Sequence, residues 1–245
     1  MQKKRNELYQ AKHAGTFFYA RIVFDDIFKA CTGKDLGFPE LFEDYEKYHQ
    51  QINTGKISRF DLVEQWLENG SNVLDVGIGD GSVAEHMMIR KQMKVCGLDI
   101  SRIACEKARL KGIDAQVYDL NKGLGLQGNV SYDYIHLSEV LEHLVYPQRI
   151  LLEATRHAKK GVVVTLPNSG YIKWRIHLLR GYAPRQSFTH LHMWSIKDFE
   201  IFCNNLDIKI LAFRTFLPKF LLRFRNLIAY QQCWLLAPFN QKQAL

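Results

Sequence analysis

The feature that most constrains the fold is an alternation of short apolar runs and amphipathic segments that starts at residue 72. NVLDVG is followed by SVAEHMMIRKQ, and KVCGLDI is followed by SRIACEKARLKG. Short apolar runs of this kind are typical of strands covered on both faces, and the segments between them have helical periodicity. Strands that alternate with helices in this way predict a doubly wound, mostly parallel sheet.

The rest of the chain extends this pattern and then changes it. Three further strands are predicted at DAQVYDL, YDYIHLSEV and GVVVTLP. Near the end, IKILAFRTFL and AYQQCWLLAPF predict a C-terminal antiparallel hairpin, which completes a seven-stranded Rossmann-like α/β sheet. An alternative for residues 213–228, a basic amphipathic segment lying on a membrane surface, stays open.

Several residues predict where the helices begin and end. Ser101 and Ser195 are suited to cap the helices that follow them, and Gly112 is suited to end one. Pro147 is predicted at the first turn of the helix PQRILLEATRHAKKG, where the missing N–H has no consequence.

The turn after the first strand carries glycines at every second position, Gly77, Gly79 and Gly81. The dinucleotide-binding fingerprint would place its third glycine at the next position, where this chain has Ser82. Asp75 precedes the turn, and a carboxylate there repels a pyrophosphate but suits a cationic ligand. Glycines allow such a ligand to lie against the backbone without a Cβ in the way.

Two more aspartates follow the next two predicted strands. Asp99 ends the second strand, where a carboxylate is able to accept hydrogen bonds from both hydroxyls of a ribose. Asp119 ends the third, and either accepts from an adenine amine or caps the next turn. Because the carboxyl ends of parallel strands meet at one edge, we expect these side chains to line one crevice.

Four motifs, VLDVGIGDGS, GLDIS, VYDLN and YDYIHLSEVLEHL, resemble in order and spacing the class I S-adenosylmethionine-dependent methyltransferases. More narrowly, about residues 59–210 resemble the MetW-like (methionine biosynthesis protein W) family, with LPNSGYIKWRIHLLRGYAP and SIKDFEIFCNNLDIKI among the matching stretches. The resemblance implies S-adenosyl-L-methionine as cofactor. The residues expected to contact it are Asp75, Gly77, Gly79, Gly81, Asp99, Ile100, Asp119, Leu120 and Ser138.

The chain departs from the family pattern at two places. Ile78 stands where the family usually has Cys, a neutral change for cofactor binding. After the fourth strand the chain has Glu142 and His143 instead of apolar and amide residues, and this acid–His pair is familiar from active small-molecule and glycan methyltransferases. We predict that His143 is a catalytic base oriented by Glu142, since a hydroxyl acceptor must lose a proton. The alternative, that His143 braces the cofactor loop, stays open.

The segment 167–194 is predicted to cap the acceptor. It contains no acidic residue, and the whole span 154–197 holds 8 Lys and Arg and no Asp or Glu. Since Arg recognises carboxylates and phosphates, we predict an anionic small molecule or glycan as substrate. The predicted contacts are Tyr171, Trp174, Arg175, His190 and His192. An amphipathic helix with its basic face in water is the alternative. His190 and His192 lack a marked third partner, so no metal site is predicted.

Charge and cysteine content bear on partners and location. Residues 154–245 carry 14 basic and 3 acidic residues, whereas residues 1–153 carry 19 and 22, within a net charge of +8. The five cysteines form no disulfide or metal spacing, and the N-terminal apolar stretch is interrupted by charges, which favours a cytoplasmic protein. Membrane association, peripheral membrane contact and a homodimer are left open.

The predicted organisation is an N-terminal helical extension or lid, 1–58, followed by a methyltransferase domain, 59–245. The predicted function is methyl transfer to a small molecule or glycan. The family resemblance offers an alternative, a partner protein that supports homoserine O-acetylation in methionine biosynthesis. A nucleic-acid methyltransferase is the second alternative, but no NPPY-type motif follows the fourth strand, so we expect no nucleic-acid partner.

Overall fold

A computed structural model describes residues 23–32, 60–128, 130–184, 187 and 189–239. Residues 23–32 are helical, and the rest of the predicted N-terminal lid lies outside the described residues. The strands are β1 (Asn72–Val76), β2 (Lys94–Asp99), β3 (Asp114–Val117), β4 (Tyr132–Ser138), β5 (Ala158–Pro167), β6 (Ile210–Arg214) and β7 (Gln231–Leu236). The α-helices are α1 (Phe60–Val63), α2 (Ser82–Lys91), α3 (Arg102–Leu110), α4 (Pro147–His157), α5 (Ile172–Leu179), α6 (Ile196–Asn205) and α7 (Arg225–Ile228).

The strands form one sheet of seven strands in the order β3-β2-β1-β4-β5-β7-β6. Strands β1 to β5 pair in parallel, and β7 pairs antiparallel with both β5 and β6. The predicted fold, a mostly parallel doubly wound sheet closed by an antiparallel hairpin, is confirmed. The chain reverses its direction across the sheet between β1 and β4, and ligands bind at such a switch point in open α/β sheets.

The predicted helix boundaries are largely confirmed by hydrogen bonds. The Ser101 hydroxyl accepts from the N–H of Ala104 at 3.1 Å and caps α3. Ser195 and Asp198 form a reciprocal capping box at the start of α6. Pro147 occupies the first turn of α4, as expected.

Two apolar layers cover the sheet because successive side chains of a strand point to opposite faces. On β1, Leu74 packs into one layer and Val73 into the other. The first layer continues to Trp234 on β7, whose ring is packed against Phe199 and Phe213 and whose Nε1–H donates to Gln232 at 3.0 Å. The sheet is therefore buried on both faces, and its carboxyl edge is left to carry a site.

The segment between β6 and β7 consists of a 3₁₀ turn (Lys219–Phe224) followed by α7. Arg225 donates to the Glu200 carboxylate at 2.6 Å, which holds the segment against α6. Phe220 is 72% exposed beside Lys219, so the membrane-surface role stays a prediction. Within the described parts of the chain, no helix has the length and apolar character required to cross a bilayer.

Candidate functional site

The turn after β1 requires glycine at each of its three glycine positions. Gly77, Gly79 and Gly81 have φ angles of 74°, 58° and 75°, in the left-handed region that side chains disfavour. A Cβ on Gly77 would lie 2.3 Å from Cγ2 of Val140, and one on Gly81 would lie 2.8 Å from Cδ1 of Ile113. Val140 and Ile113 thus pack against the turn. The backbone of the turn follows the carboxyl edge of the sheet.

Asp99 fixes this turn to the next strand. Its carboxylate is 6% exposed and accepts hydrogen bonds from the N–H groups of Gly79 and Ser101, each at 2.9 Å. An ionised carboxylate has about four acceptor sites, so these two bonds leave capacity for ligand hydroxyls. Ile100 follows directly and is 49% exposed, which places an apolar surface beside the carboxylate.

Asp75 has a protein partner that the sequence analysis missed. Its Oδ1 lies 2.7 Å from Nδ1 of His136, and both side chains are buried. The β1–β4 register places these two residues side by side, so the pair joins the central strands beneath the glycine turn. The predicted role of Asp75 beside a cationic ligand stays a prediction. A search for a polar residue opposite Asp75 in YDYIHLS would have found His136.

The predicted position of Asp119 requires a correction. Strand β3 ends at Val117, two residues before Asp119, and the Asp119 side chain accepts from the Asn121 N–H at 3.0 Å, which agrees with the alternative that it caps the next turn. Leu120 is buried in the core. The Asn121 side chain in turn accepts from the N–H of Val145 at 3.1 Å, which ties this loop to the segment after β4.

The end of β4 contains a strained residue that the sequence analysis also missed. Glu139 has a φ of 56°, and non-glycine residues in this conformation concentrate at functional sites. Its N–H donates to the Thr165 carbonyl at 3.0 Å, and its carboxylate accepts from Gln231 at 2.5 Å. Next to it, the hydroxyls of Ser138 and Thr165 lie 2.8 Å apart. Strands β5 and β7 therefore hold the end of β4 in place.

Glu142, His143 and His190 form a cluster just beyond β4. Their ligand-type atoms lie within 4.8 Å of one another, and the two imidazole rings meet edge to face at 4.7 Å. Glu142 is 1% exposed. The predicted pair is thus joined by a third residue from the acceptor segment, which corrects the expectation that His190 has no partner for a metal site.

The protonation state of the two imidazole rings follows from their surroundings. Burial lowers the pKa of His143, although a hydrogen bond to the Thr189 carbonyl opposes this effect. Burial, followed by the proximity of His143, lowers the pKa of His190 to about 4. Both rings are therefore neutral near pH 7. Because a carbonyl only accepts, Nδ1 of His143 donates to Thr189 at 3.2 Å, and Nε2 carries the lone pair.

Two residues predicted to contact the acceptor are buried among packing contacts. Tyr171 is fully buried, its ring contacts Tyr230 edge to face, and its hydroxyl donates to Asp26 at 3.1 Å. Trp174 is also buried, with the Lys173 ammonium 4.9 Å from its ring centroid. The Tyr171 hydroxyl thus joins the start of α5 to the helical stretch 23–32, and the predicted contacts of Tyr171 and Trp174 with the acceptor stay predictions.

The other two predicted acceptor residues lie at the surface or near it. Arg175 is exposed, and its Nε donates to the Gly170 carbonyl at 2.7 Å. His192 is partly exposed and stacks on Trp194 with ring centroids 5.2 Å apart. Its role in acceptor binding stays a prediction.

The fold defines the structural class of the protein. A SAM-dependent methyltransferase from Archaeoglobus fulgidus superposes with a TM-score of 0.55 and 17% identity, over 74% of this chain and 91% of that chain. Magnesium protoporphyrin IX methyltransferase from Synechocystis PCC 6803, solved with bound SAH, has a TM-score of 0.56 and 14% identity, over 80% and 94% of the two chains. At these identities the similarity shows a shared fold, that of the class I methyltransferases.

The family is defined by sequence. The family model described as methionine biosynthesis protein MetW matches residues 58–221, and the chain belongs to that family. The resemblance stated from the motifs is confirmed.

Curated relatives match over shorter stretches. The mitochondrial ubiquinone biosynthesis O-methyltransferase of Candida albicans is 30% identical over 46% of this chain. The bifunctional methionine biosynthesis protein MetXA/MetW of Rhodopirellula baltica is 28% identical over 47% of this chain. The alignments span 38% and 20% of the length of these two proteins.

Proposed function

We propose that this protein is an S-adenosylmethionine-dependent methyltransferase that methylates an oxygen of an anionic small molecule or glycan. The observation that carries the proposal is that the glycine turn, held by Asp99, packs through Gly77 on Val140, in the segment after β4 that leads to Glu142 and His143. One edge of the sheet thus offers a nucleoside site and a polar reaction site. The relatives named as O-methyltransferases support oxygen as the acceptor atom.

The residues of the first site fit the cofactor. The glycine turn is held next to Asp99 by the Gly79 N–H, and Asp99 retains acceptor capacity for ribose hydroxyls. The exposed side chain of Ile100 offers an apolar surface for the adenine ring, and Asp119 lies at the next loop. When bound, the cofactor supplies an electrophilic methyl group on a sulfonium.

The residues of the second site act on the acceptor. Methyl transfer depends mainly on holding the acceptor oxygen in line with the methyl carbon, and removal of the hydroxyl proton adds about 10²–10⁴-fold. The neutral imidazole of His143 keeps an Nε2 lone pair that is able to accept this proton. The absence of Asp and Glu from 154–197 favours an anionic acceptor, for which exposed Arg175 is a suited contact.

Replacement of Asp99 by Asn tests the cofactor site. We expect Asp99→Asn to weaken S-adenosylmethionine binding at least about tenfold in calorimetry, because an amide accepts fewer hydrogen bonds from ribose hydroxyls. Asp133→Asn is the matched control, since Asp133 also accepts from a backbone N–H, that of Asn72, at the opposite edge of the sheet. Equal affinity of both variants would contradict the assigned cofactor site.

A panel of acceptors tests the substrate class. Labelled methyl transfer from S-adenosylmethionine is measured with phosphorylated sugars and uronic-acid glycans and with their uncharged counterparts. We expect faster transfer to the charged compounds and a decrease in that preference for Arg175→Gln. Faster transfer to the uncharged compounds would overturn the anionic part of the proposal. Stimulation of homoserine O-acetylation without methyl transfer would favour the alternative role in methionine biosynthesis.

A further inference from the structure

We propose that Glu142, His143 and His190 form a binding site for a divalent transition-metal ion. Metal binding goes beyond the proposed methyl transfer, since it is measurable without cofactor or acceptor. The site combines one carboxylate and two imidazoles, a ligand set suited to Zn²⁺, Mn²⁺, Fe²⁺ or Co²⁺. Two ligands come from the 3₁₀ turn Leu141–His143 and the third comes from the segment after α5.

The distances are close to those that an ion requires. One ligand atom from each of the three residues lies within 4.8 Å of the other two. Zn–N and Zn–O bonds are about 2.0–2.2 Å long, so ligand atoms on one ion lie roughly 3–4 Å apart. Side-chain movements of about 1 Å therefore bring the three atoms to the separations that one ion requires.

Backbone hydrogen bonds hold the two ligand-bearing segments together. The carbonyl of Glu142 accepts from the N–H groups of Leu191 and His192, at 2.8 and 3.1 Å. These bonds fix His190 beside the 3₁₀ turn although the two segments are distant in sequence. A site whose backbone is already in place binds an ion without the cost of ordering a loop.

A second hydrogen bond orients one of the ligands. Nδ1 of His143 donates to the carbonyl of Thr189 at 3.2 Å, which directs the Nε2 lone pair away from that carbonyl. Metal-binding histidines commonly donate their other ring N–H to a backbone carbonyl in this way.

An ion with three protein ligands keeps at least one coordination position for an oxygen. A hydroxyl bound there is acidified, as water is by a catalytic metal ion. In that case Nε2 of His143 is a ligand and is not the proton acceptor. The two roles differ in one consequence: metal-free protein retains methyl transfer if His143 is a base and loses it if His143 is a ligand.

Metal binding is tested with the whole protein after dialysis against a chelator. Titration with Zn²⁺ and Mn²⁺ in a calorimeter is expected to show one ion per chain. Co²⁺ is expected to produce a visible absorption spectrum typical of nitrogen and oxygen ligands. Glu142→Gln and His190→Ala are expected to weaken Zn²⁺ binding at least about tenfold, the lower end of what even indirect partners of a metal contribute.

His157→Ala is the matched control, since His157 ends α4 and its Nδ1 donates to the Val130 carbonyl at 2.7 Å, outside the cluster. It is expected to bind Zn²⁺ as the wild type does. Circular dichroism and S-adenosylhomocysteine affinity show whether each variant is folded. Failure of the unmodified protein to bind these ions, or wild-type affinity in folded His190→Ala, would overturn the site. If the unmodified protein does not bind S-adenosylhomocysteine, that result argues against the proposed methyl transfer and not against the metal site.

Discussion

The two halves of the carboxyl edge are built in different ways. The half formed by β1, β2 and β3 takes its polar residues from the strand ends themselves, Asp75 and Asp99, and from the loop directly after β3, Asp119. The half formed by β4 and β5 depends on distant partners. Glu139 is held by Gln231, and the Glu142 carbonyl is held by the N–H groups of Leu191 and His192. A crevice of this fold thus combines a site specified by short motifs with one specified by tertiary contacts.

This difference indicates where the two functions are able to change. The cofactor half depends on glycines whose φ angles and packing exclude other residues, so substitutions there are costly. The acceptor half depends on one 3₁₀ turn and one loop joined by backbone hydrogen bonds, which most side chains tolerate. Acceptor chemistry is therefore the more adjustable property of the two.

The largest loss of unfolding free energy is expected at the Asp75–His136 pair, which joins β1 of the first half to β4 of the second. His136→Ala leaves a buried carboxylate without its partner, which costs about 3–5 kcal/mol of unfolding free energy. Urea denaturation measures this loss. In the double variant Asp75→Ala/His136→Ala the loss is expected to be smaller than the sum of the two single losses. Strict additivity would show that the pair does not couple the central strands.

A smaller loss of unfolding free energy is expected when a packed glycine is compared with an unpacked one. Gly77→Ala combines a φ of 74° with a contact of 2.3 Å to Val140, and we expect a loss of about 2–4 kcal/mol. Gly181→Ala, after α5, has a φ of 83° but no atom within 4 Å of the added Cβ, so about 1–2 kcal/mol is expected. Thermal and urea denaturation of both variants measure the difference. Equal losses would mean that the packing of the turn contributes nothing.

The smallest effects are expected at the helix caps. Ser101→Ala and Ser195→Ala each remove a side-chain acceptor at a helix start and are expected to cost about 1 kcal/mol. Ser101→Ala keeps the backbone N–H that donates to Asp99, so neither variant is expected to weaken S-adenosylhomocysteine binding. Calorimetry and denaturation on the same preparations separate the two properties. A weaker cofactor affinity in Ser195→Ala would indicate that the halves are not independent.

The strands and the helix caps followed from patterns within short windows. Alternating apolar runs predicted β1 to β5, and the Ser101 and Ser195 caps required only their neighbours in sequence. Asp119 lies two positions beyond the end of β3, and its role as a cap was one of the two alternatives that the sequence left open. The His136 partner of Asp75 was missed because it depends on the register between two strands 61 positions apart.

The acceptor side shows the limit of sequence reasoning most clearly. Tyr171 and Trp174 have the composition of a binding surface, yet burial against other parts of the chain makes them packing residues. His190 had no partner within its own segment, and the fold provides Glu142 and His143. A basic, aromatic segment forms an exposed surface only if no other part of the chain packs on it. Tertiary structure decides whether that is so.

The sequence by itself determined the sheet, the glycine turn and the family, because these depend on periodicity and on backbone conformations that only glycine adopts freely. Tertiary structure alone decided that Asp75 faces His136, that Glu139 adopts a left-handed conformation, and that Glu142, His143 and His190 meet. The physical reason is that local preferences act over a few residues, whereas side-chain proximity depends on how strands and loops pack together.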